Sequence, residues 1–370
     1  MLIGVPKEIK TREYRVGMTP QSVLELTRAG HQVMVEINAG AAIDFCDDEY
    51  RKAGAKIVDT PEEIFAKADM IVKVKEPQLN ECAMLREGQT IFTYLHLAAD
   101  KAQAEALEKS KSIAIAYETV TGENGRLPLL QPMSEVAGRL SVQVGARCLE
   151  MTSGGRGVLL GGVPGVSAAN VVIIGGGVSG YNAAQMAVGL HADVTIFDRS
   201  LNRLEELDTI FGNRVQTVYS TTGALADAIV NADLVIGAVL IPGAAAPKLI
   251  TRDMLKTMRR GAVLVDISID QGGCFETSRP TTHDDPFYEV DGIVHYCVAN
   301  MPGAVARTST LALNNRTLPH ILNLANFGPK DAMRRDHDLR EGLNVMDGHI
   351  THMAVAEALS MPFTDPEDLI

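Results

Sequence analysis

The stretch from Asn170 to Asp198 constrains this chain more than any other. A β-branched apolar run, Val171 to Ile174, feeds into Gly175, Gly177 and Gly180. A helical pattern follows from Ser179 to Leu190, and a second apolar run, Val194 to Phe197, closes on Asp198. This order of strand, glycine-rich turn, helix and strand is that of a dinucleotide-binding βαβ unit. Gly175 permits the tight turn, Gly177 lets the backbone approach a pyrophosphate, and Gly180 lets the helix pack closely on its strand. The free N–H groups and positive dipole end of the helix then face the phosphates. With 33 glycines among 370 residues the spacing alone is a weak signal, and a purely structural turn is the plain alternative. The context carries the reading, because an acidic residue ends the next strand about 20 residues on, as ribose binding requires. Asp198 accepts hydrogen bonds from a ribose 2′-OH and repels a 2′-phosphate, which favours NAD over NADP. Arg199 and Arg203 pull mildly the other way.

A chain of 370 residues is expected to form two domains. Its apolar fraction of 46% and charged fraction of 22% are those of a soluble globular protein. The net charge of −12 argues against nucleic acid or an anionic membrane as partner, so a small anionic substrate needs a local basic pocket. Cys46, Cys82, Cys148, Cys274 and Cys297 are odd in number and far apart, with no C-x-x-C. They are expected to be buried, reduced thiols of a cytoplasmic protein, with neither a disulfide framework nor a metal knuckle. The amino terminus lacks a signal-peptide core. The longest apolar stretch, Leu234 to Pro247, is broken by Gly237, Pro242 and Gly243, so no membrane span is expected.

Strand-like runs alternate with helical ones through the first 130 residues: Leu2 to Val5, Gln32 to Glu36, Met70 to Lys75, Thr90 to Leu95 and Ser112 to Tyr117. Thr19-Pro20 and Thr60-Pro61 each supply an N-cap followed by proline in the first helical turn. Residues 118–130 read as a turn or hairpin, after which Ser134 is expected to cap a helix running to Met151 with Val136, Leu140, Val144 and Leu149 on its apolar face. Gly154 to Gly165 lacks the Lys-Ser/Thr pair of a P-loop and reads as a flexible connection. Six strands are expected beyond it, near 171–174, 194–197, 215–218, 234–238, 262–267 and 293–298. A helix from Thr308 to Asn326, carrying Leu311, Leu318, Leu322 and Ala325 at helical spacing, leads back to the first domain. The tail, 331–370, is charged and helical at both ends, with a turn at Met346 to His349. The fold class is therefore α/β, with two Rossmann-like doubly wound domains and a cleft between them. Residues 1–130 with 306–370 form the substrate domain and 131–305 the NAD-binding domain.

Ligands of parallel α/β sheets bind beyond the carboxyl ends of the strands. That rule selects Lys75, His96 and Asp270, each ending or following a strand. The plain alternatives are a solvated strand-end lysine, a satisfied histidine, and an aspartate holding a turn with Gly272 and Gly273. Lys73 shares a face with Lys75 by strand alternation, and nothing local separates the two. Arg15, in a polar loop, reads by itself as an exposed charge.

Several motifs in colinear order carry a resemblance: Lys7 to Lys10 with Glu13-Tyr-Arg15-Val, Val74-Lys75-Glu-Pro77, Tyr94-Leu-His96-Leu-Ala, Leu129 to Arg139, Val171 to Asn182, Asp266 to Gly273 and Val298-Ala-Asn-Met301-Pro. Together they resemble the bacterial L-alanine dehydrogenases from residue 1 to about 330. The resemblance implies reversible oxidative deamination of L-alanine to pyruvate and ammonia with NAD, by a homohexamer. It implies that Arg15 holds the substrate carboxylate, that Lys75 contacts carboxylate and keto oxygen, and that His96 is the acid/base histidine. It likewise implies that Asp270 takes part in proton transfer and touches the cofactor. Ser134, Gly177, Val178, Asp198, Arg203, Ser220, Val239, Leu240, Ile267, Arg279, Val298, Asn300 and Met301 fall at positions resembling NAD contacts. Some members are described with a divalent metal held by a Glu and a His in the helix after residue 310. Here Asn323 and Phe327 stand at those places, so no metal is expected. The nearest rival is the soluble NAD-binding subunit of a proton-translocating transhydrogenase.

Overall fold

The computed structural model describes residues 1–239 and 246–370. Its strands are β1 (Leu2–Val5), β2 (Gln32–Glu36), β3 (Lys56–Val58), β4 (Met70–Val72), β5 (Thr90–Thr93), β6 (Ile113–Ala116), β7 (Asn170–Ile174), β8 (Asp193–Asp198), β9 (Val215–Tyr219), β10 (Leu234–Gly237), β11 (Val263–Asp266), β12 (Phe287–Val290), β13 (Ile293–Tyr296), β14 (Leu343–Met346) and β15 (His349–Ile350). Met1–Met133 with Val305–Ile370 form one compact unit and Ser134–Ala304 the other, the boundary falling inside the helix Gln131–Cys148.

In the first unit the described residues form an eight-stranded sheet, ordered β15-β14-β6-β5-β4-β1-β2-β3. It is parallel from β3 to β6 and closed at one edge by antiparallel β14 and β15. Its two faces follow strand alternation. Ile3, Val5, Met70, Val72 and Phe92 enter one buried cluster, and Met34, Ile71 and Ile91 the other. At Gly4 a Cβ would stand 2.4 Å from Cγ2 of Ile64, so only glycine lets the helix Pro61–Lys67 lie this close to β1. Thr19 and Thr60 cap their helices as expected, accepting from the N–H of Ser22 and Glu63, with proline in the first turn. The chain runs outward through β1, β2 and β3, then returns to place β4 on the other side of β1. The β1/β4 boundary is therefore a topological switch point.

The second unit repeats this plan in the order β12-β13-β11-β10-β7-β8-β9 among the described residues, with its switch point between β7 and β10. Seven strands replace the six expected, because Phe287–Val290 adds an antiparallel edge strand to β13. Its residues alternate between exposed and half-buried, so it carries no strong apolar signal. Among the described residues no helix is long and apolar enough to cross a membrane.

Several expectations need correction. The helix after residue 130 begins at Gln131, so Ser134 lies inside its first turn and does not cap it. The helix Ala306–Phe327 buries Leu313, Asn314, Thr317, Ile321 and Leu324, whereas Leu311 is exposed. Ala325 is buried and Leu318 and Leu322 half-buried, so the inward face overlaps the expected one at its end and is widened by small and polar residues. The connection Gly154 to Gly165 is anchored at its start, whereas Leu159 and Val163 further along are exposed. A Cβ at Gly155 would meet the Cys148 carbonyl oxygen at 2.2 Å, and the Arg156 N–H donates to the Gly261 carbonyl at 3.1 Å. The tail supplies β14 and β15 around the expected turn, in addition to its helices. Cys46 is exposed, unlike the other four thiols.

Candidate functional site

At the carboxyl edge of the first sheet, Glu8 and Arg15 follow β1, Lys73 and Lys75 follow β4, His96 follows β5 and Glu118 follows β6. Arg15 is not the exposed charge its loop suggests, being only 2% exposed. Its Nε and a terminal nitrogen donate to the two carboxylate oxygens of Glu13 at 2.7 and 2.6 Å, and its other terminal nitrogen reaches Sδ of Met133 at 3.2 Å. Burial works against the guanidinium charge, but the Glu13 carboxylate overcomes it and holds the group above its ordinary value.

Strand β4 stops at Val72, so Lys73 and Lys75 lie in the turn beyond it, and the structure separates them sharply. Lys73 is wholly buried between Glu8 at 3.0 Å and Glu81 at 2.8 Å. Burial alone would lower its pKa, yet these two carboxylates keep the ammonium above its ordinary value. The Lys75 side chain retains 13% exposure and approaches Glu76 at 3.5 Å. Glu76 also pairs with Lys10. Burial pushes the Glu76 carboxyl up, but Lys75 and Lys10 outweigh it and bring it below the ordinary carboxylate range.

His96 adopts a left-handed backbone, φ 52°, which a non-glycine residue holds only when its surroundings enforce it. Glu118 supplies that enforcement by accepting the N–H groups of Leu95 at 3.2 Å and of His96 at 2.5 Å. The same carboxylate lies 3.8 Å from Nδ1 of His96. The imidazole is half-exposed and stacks on Tyr94, with ring centres 5.8 Å apart and planes 6° from parallel. Burial pushes the Tyr94 phenol upward, so it stays a neutral donor, and it gives its hydrogen bond to the Leu129 carbonyl at 2.6 Å. A pocket of about 100 Å³ beside Arg15, lined also by Lys7, Glu8, Glu13, Tyr14 and Asn38, takes in neither Lys75 nor His96.

In the second unit the glycine loop has the geometry that its spacing implied. Gly175 has φ 99°, and a Cβ at Gly180 would fall 1.7 Å from the Gly175 carbonyl oxygen. At Gly177, which precedes the helix Val178–Gly189, a Cβ would meet nothing within 4 Å. The helix start therefore presents open space flanked by backbone, as a pyrophosphate needs. Asp198 accepts from Gly176 N–H at 2.7 Å and from Ser200 N–H at 2.8 Å, one on each oxygen. Each oxygen keeps a second lone pair for a ribose hydroxyl. Arg203 donates to the Gly176 carbonyl at 2.7 Å, pairs with Glu206 at 2.6 Å and lies over the Tyr181 ring. The residues present fit a dinucleotide.

The other candidate residues are spread over the second unit. Ser134 accepts at its carbonyl from the Ser179 hydroxyl at 3.0 Å, and Ser220 N–H donates to the Asp198 carbonyl at 2.9 Å. Val239, after β10, exchanges two hydrogen bonds with the Ser268 hydroxyl, at 3.0 and 2.7 Å. Ile267 and exposed Asp270 sit on the short helical turn Ile267–Gln271 after β11. Arg279 stacks over Tyr288 at 4.0 Å. Val298 and Met301 are buried beyond β13, and Asn300 between them has φ 59°. Leu240 lies outside the described residues. A larger groove of about 700 Å³ runs along β7, β8 and β9 past Asn170, Asp193, Thr195 and Asp227, and includes none of the candidate residues.

Four residues that shape these sites were not singled out from the sequence. They are Glu8, Glu13, Glu118 and Asp266, whose buried carboxylate accepts from Ser268 N–H, Cys274 N–H and the Ser278 hydroxyl beneath the turn that carries Asp270. Glu118 was within reach of the strand-end rule, since it follows the run Ser112 to Tyr117. For Glu13 the signal was its spacing of two residues from Arg15.

Comparison with known proteins places these observations. The alanine dehydrogenase of Halomonas elongata is 56% identical over the full length of both chains. A solved structure of an L-alanine dehydrogenase superposes with a TM-score of 0.95, at 52% identity over 97% of this chain and 99% of that one. The structure of a transhydrogenase from Sinorhizobium meliloti, 24% identical and covering 96% of this chain and 100% of that one, shares the fold with a TM-score of 0.82. Residues 4–137 match the alanine dehydrogenase/PNT N-terminal domain and residues 141–353 the corresponding C-terminal domain. With both domain models matched in order and more than half of its residues shared with a full-length relative, the chain belongs to the alanine dehydrogenase/PNT family.

Proposed function

We propose that this protein acts as an L-alanine dehydrogenase, interconverting L-alanine and pyruvate plus ammonia with NAD. Identity above one half to alanine dehydrogenases, against 24% to the transhydrogenase structure, favours this reading over the transhydrogenase subunit. The observation that supports the chemistry is that Arg15, Lys75 and His96 each follow one of three neighbouring strands, β1, β4 and β5, the first two of which flank the switch point. Substrate binding is assigned to residues 1–130 with 306–370, and NAD binding to 131–305.

NAD, when bound, supplies the acceptor for the hydride that leaves Cα of alanine. The chain's own residues do the rest. Arg15, aimed by Glu13, takes the substrate carboxylate, and the Lys75 ammonium takes the carbonyl oxygen as it gains negative charge. Loss of hydride leaves an iminium carbon on the substrate. Water attacks that carbon and gives a proton to His96, which returns it to the nitrogen as the carbon–nitrogen bond breaks and ammonia departs. An imidazole suits this exchange because a ring nitrogen can accept a proton and hand it on. Asp270 accepts the proton of the newly formed hydroxyl as the carbonyl forms, and touches the cofactor. Asp198 takes the ribose hydroxyls and selects NAD over NADP. Gly175, Gly177, Val178 and Gly180 form the phosphate turn, with Ser134, Arg203, Ser220, Val239, Leu240, Ile267, Arg279, Val298, Asn300 and Met301 around the remaining cofactor.

The test is NADH formation on mixing the purified protein with NAD and L-alanine, serine or glycine in turn, with NADP in parallel. Alanine with NAD is expected to turn over fastest, and His96→Ala and Asp270→Ala to abolish turnover without unfolding the protein. Near-normal rates in both variants remove the assignment. A homohexamer in the cytoplasm completes the proposal, supported by the family resemblance. Light scattering is expected to give six times the 39.7 kDa chain mass.

A further inference from the structure

Beyond β4 the backbone of residues 73–75 has left the regular sheet, and its peptide groups find partners from several directions. The Lys73 N–H still reaches the Phe92 carbonyl at 3.3 Å, and Tyr94 N–H reaches the Val74 carbonyl at 3.2 Å. The N–H groups of Val74 and Lys75 both donate to Oε1 of Glu8, at 2.7 and 3.2 Å. The carbonyls of Lys73 and Lys75 accept from the hydroxyls of Tyr117 at 3.0 Å and Thr93 at 2.9 Å. The other oxygen of Glu8 is taken by the buried Lys73 ammonium at 3.0 Å. Burying two carboxylates and an ammonium together is expensive, and well-packed apolar side chains would serve stability at least as well. The cluster therefore calls for another reason to exist.

We propose that Glu8 and Thr93 are positioning residues that clamp the Lys75 backbone from its N–H and carbonyl sides and so aim its ammonium at the substrate. This rests on the assignment of Lys75 to substrate binding. Glu81 provides a matched comparison. It too places one oxygen on Lys73, at 2.8 Å, and uses the other for a backbone N–H, that of Gln78 at 2.8 Å. Removing either carboxylate leaves Lys73 with a single counter-charge. Only removal of Glu8 releases Lys75.

The experiment compares Glu8→Gln, Glu81→Gln, Thr93→Val and Lys75→Met in thermal melts and in steady-state reduction of pyruvate with ammonia and NADH. Glu8→Gln and Glu81→Gln are expected to lower Tm by similar amounts. Glu8→Gln alone of that pair raises KM for pyruvate and lowers kcat/KM by about 10- to 100-fold, the scale of a displaced binding group, with KM for NADH unchanged. Thr93→Val, nearly the same shape, shifts KM for pyruvate in the same direction by a smaller factor. Equal kinetics for Glu8→Gln and Glu81→Gln overturn the proposal. So does a wild-type KM for pyruvate in Thr93→Val, which decides the matter alone if Glu8→Gln does not fold. If Lys75→Met leaves pyruvate kinetics unchanged, the assignment of Lys75 itself falls and takes the clamp with it. If only Lys75→Met is impaired, the clamp falls and the assignment stands.

Discussion

A methyl group added at Gly180 would lie 1.7 Å from the Gly175 carbonyl oxygen, whereas one added at Gly177 meets no atom within 4 Å. The two glycines therefore fail differently when replaced. Gly180→Ala forces the helix Val178–Gly189 off its strand and is expected to cost about 1–3 kcal/mol of stability, read as a fall in the urea midpoint without ligand. Gly177→Ala is expected to leave that midpoint unchanged while weakening NADH binding in a fluorescence titration, because its methyl enters the space that the proposed binding mode gives to the pyrophosphate. The close packing at Gly180 was legible from spacing, since backbone geometry at such a turn is set locally. The burial of Arg15 was not. It depends on Glu13 two residues away and on Met133 far along the chain, and no local pattern around a polar loop reveals the second contact. Lys73 and Lys75 looked equivalent on strand alternation, but β4 ends at Val72, so alternation does not extend to them, and Glu8 and Glu81 bury Lys73 alone.

The helix Ala306–Phe327 shows why elements in the carboxyl-terminal part of the chain resisted reading. Its inward face includes Asn314, 2% exposed, whose side chain accepts from Thr19 N–H at 2.8 Å and donates to the Gly17 carbonyl at 3.2 Å. An asparagine at a buried position obscures the apolar periodicity on which helix-face assignment depends. Asn314→Ala leaves two buried backbone groups beside the Arg15 loop without partners. It is expected to lower stability by about 2–4 kcal/mol, at 1–3 kcal/mol per buried group with partial recovery by water; an unchanged unfolding midpoint would contradict this. The long parallel strands were legible as apolar runs between capped helices. β12 and β14 were missed for opposite reasons: β12 is a half-exposed edge, and β14 is four buried residues inside a charged tail.

At the scale of the whole molecule, the two units solve one topological problem twice, with strand order reversing between β1 and β4 in one and between β7 and β10 in the other. Acid sensitivity is a further whole-molecule property. His295 is fully buried in the second unit between Thr277 and the Ile293 carbonyl, and burial lowers its pKa. Above about pH 6.5, the ordinary histidine value, it is neutral in both folded and unfolded chains and adds no pH dependence. Below that value the unfolded chain takes up a proton that the folded one refuses, so stability falls, by up to about 1.4 kcal/mol per pH unit. Asp266, whose carboxyl burial pushes upward, acts in the opposite sense, because the folded state protonates first as pH drops. Comparing urea midpoints of wild type and His295→Gln at pH 7.5 and pH 5.5 isolates the histidine, and the variant is expected to lose less stability on acidification.

The measurement that bears most directly on the proposed reaction is the fate of the Cα hydrogen. Incubating the protein with NAD and L-alanine deuterated at Cα, then weighing the reduced nicotinamide by mass spectrometry, is expected to show one deuterium per NADH formed, and none formed by His96→Ala. Unlabelled NADH, or no NADH from alanine in the wild-type protein, would contradict the account.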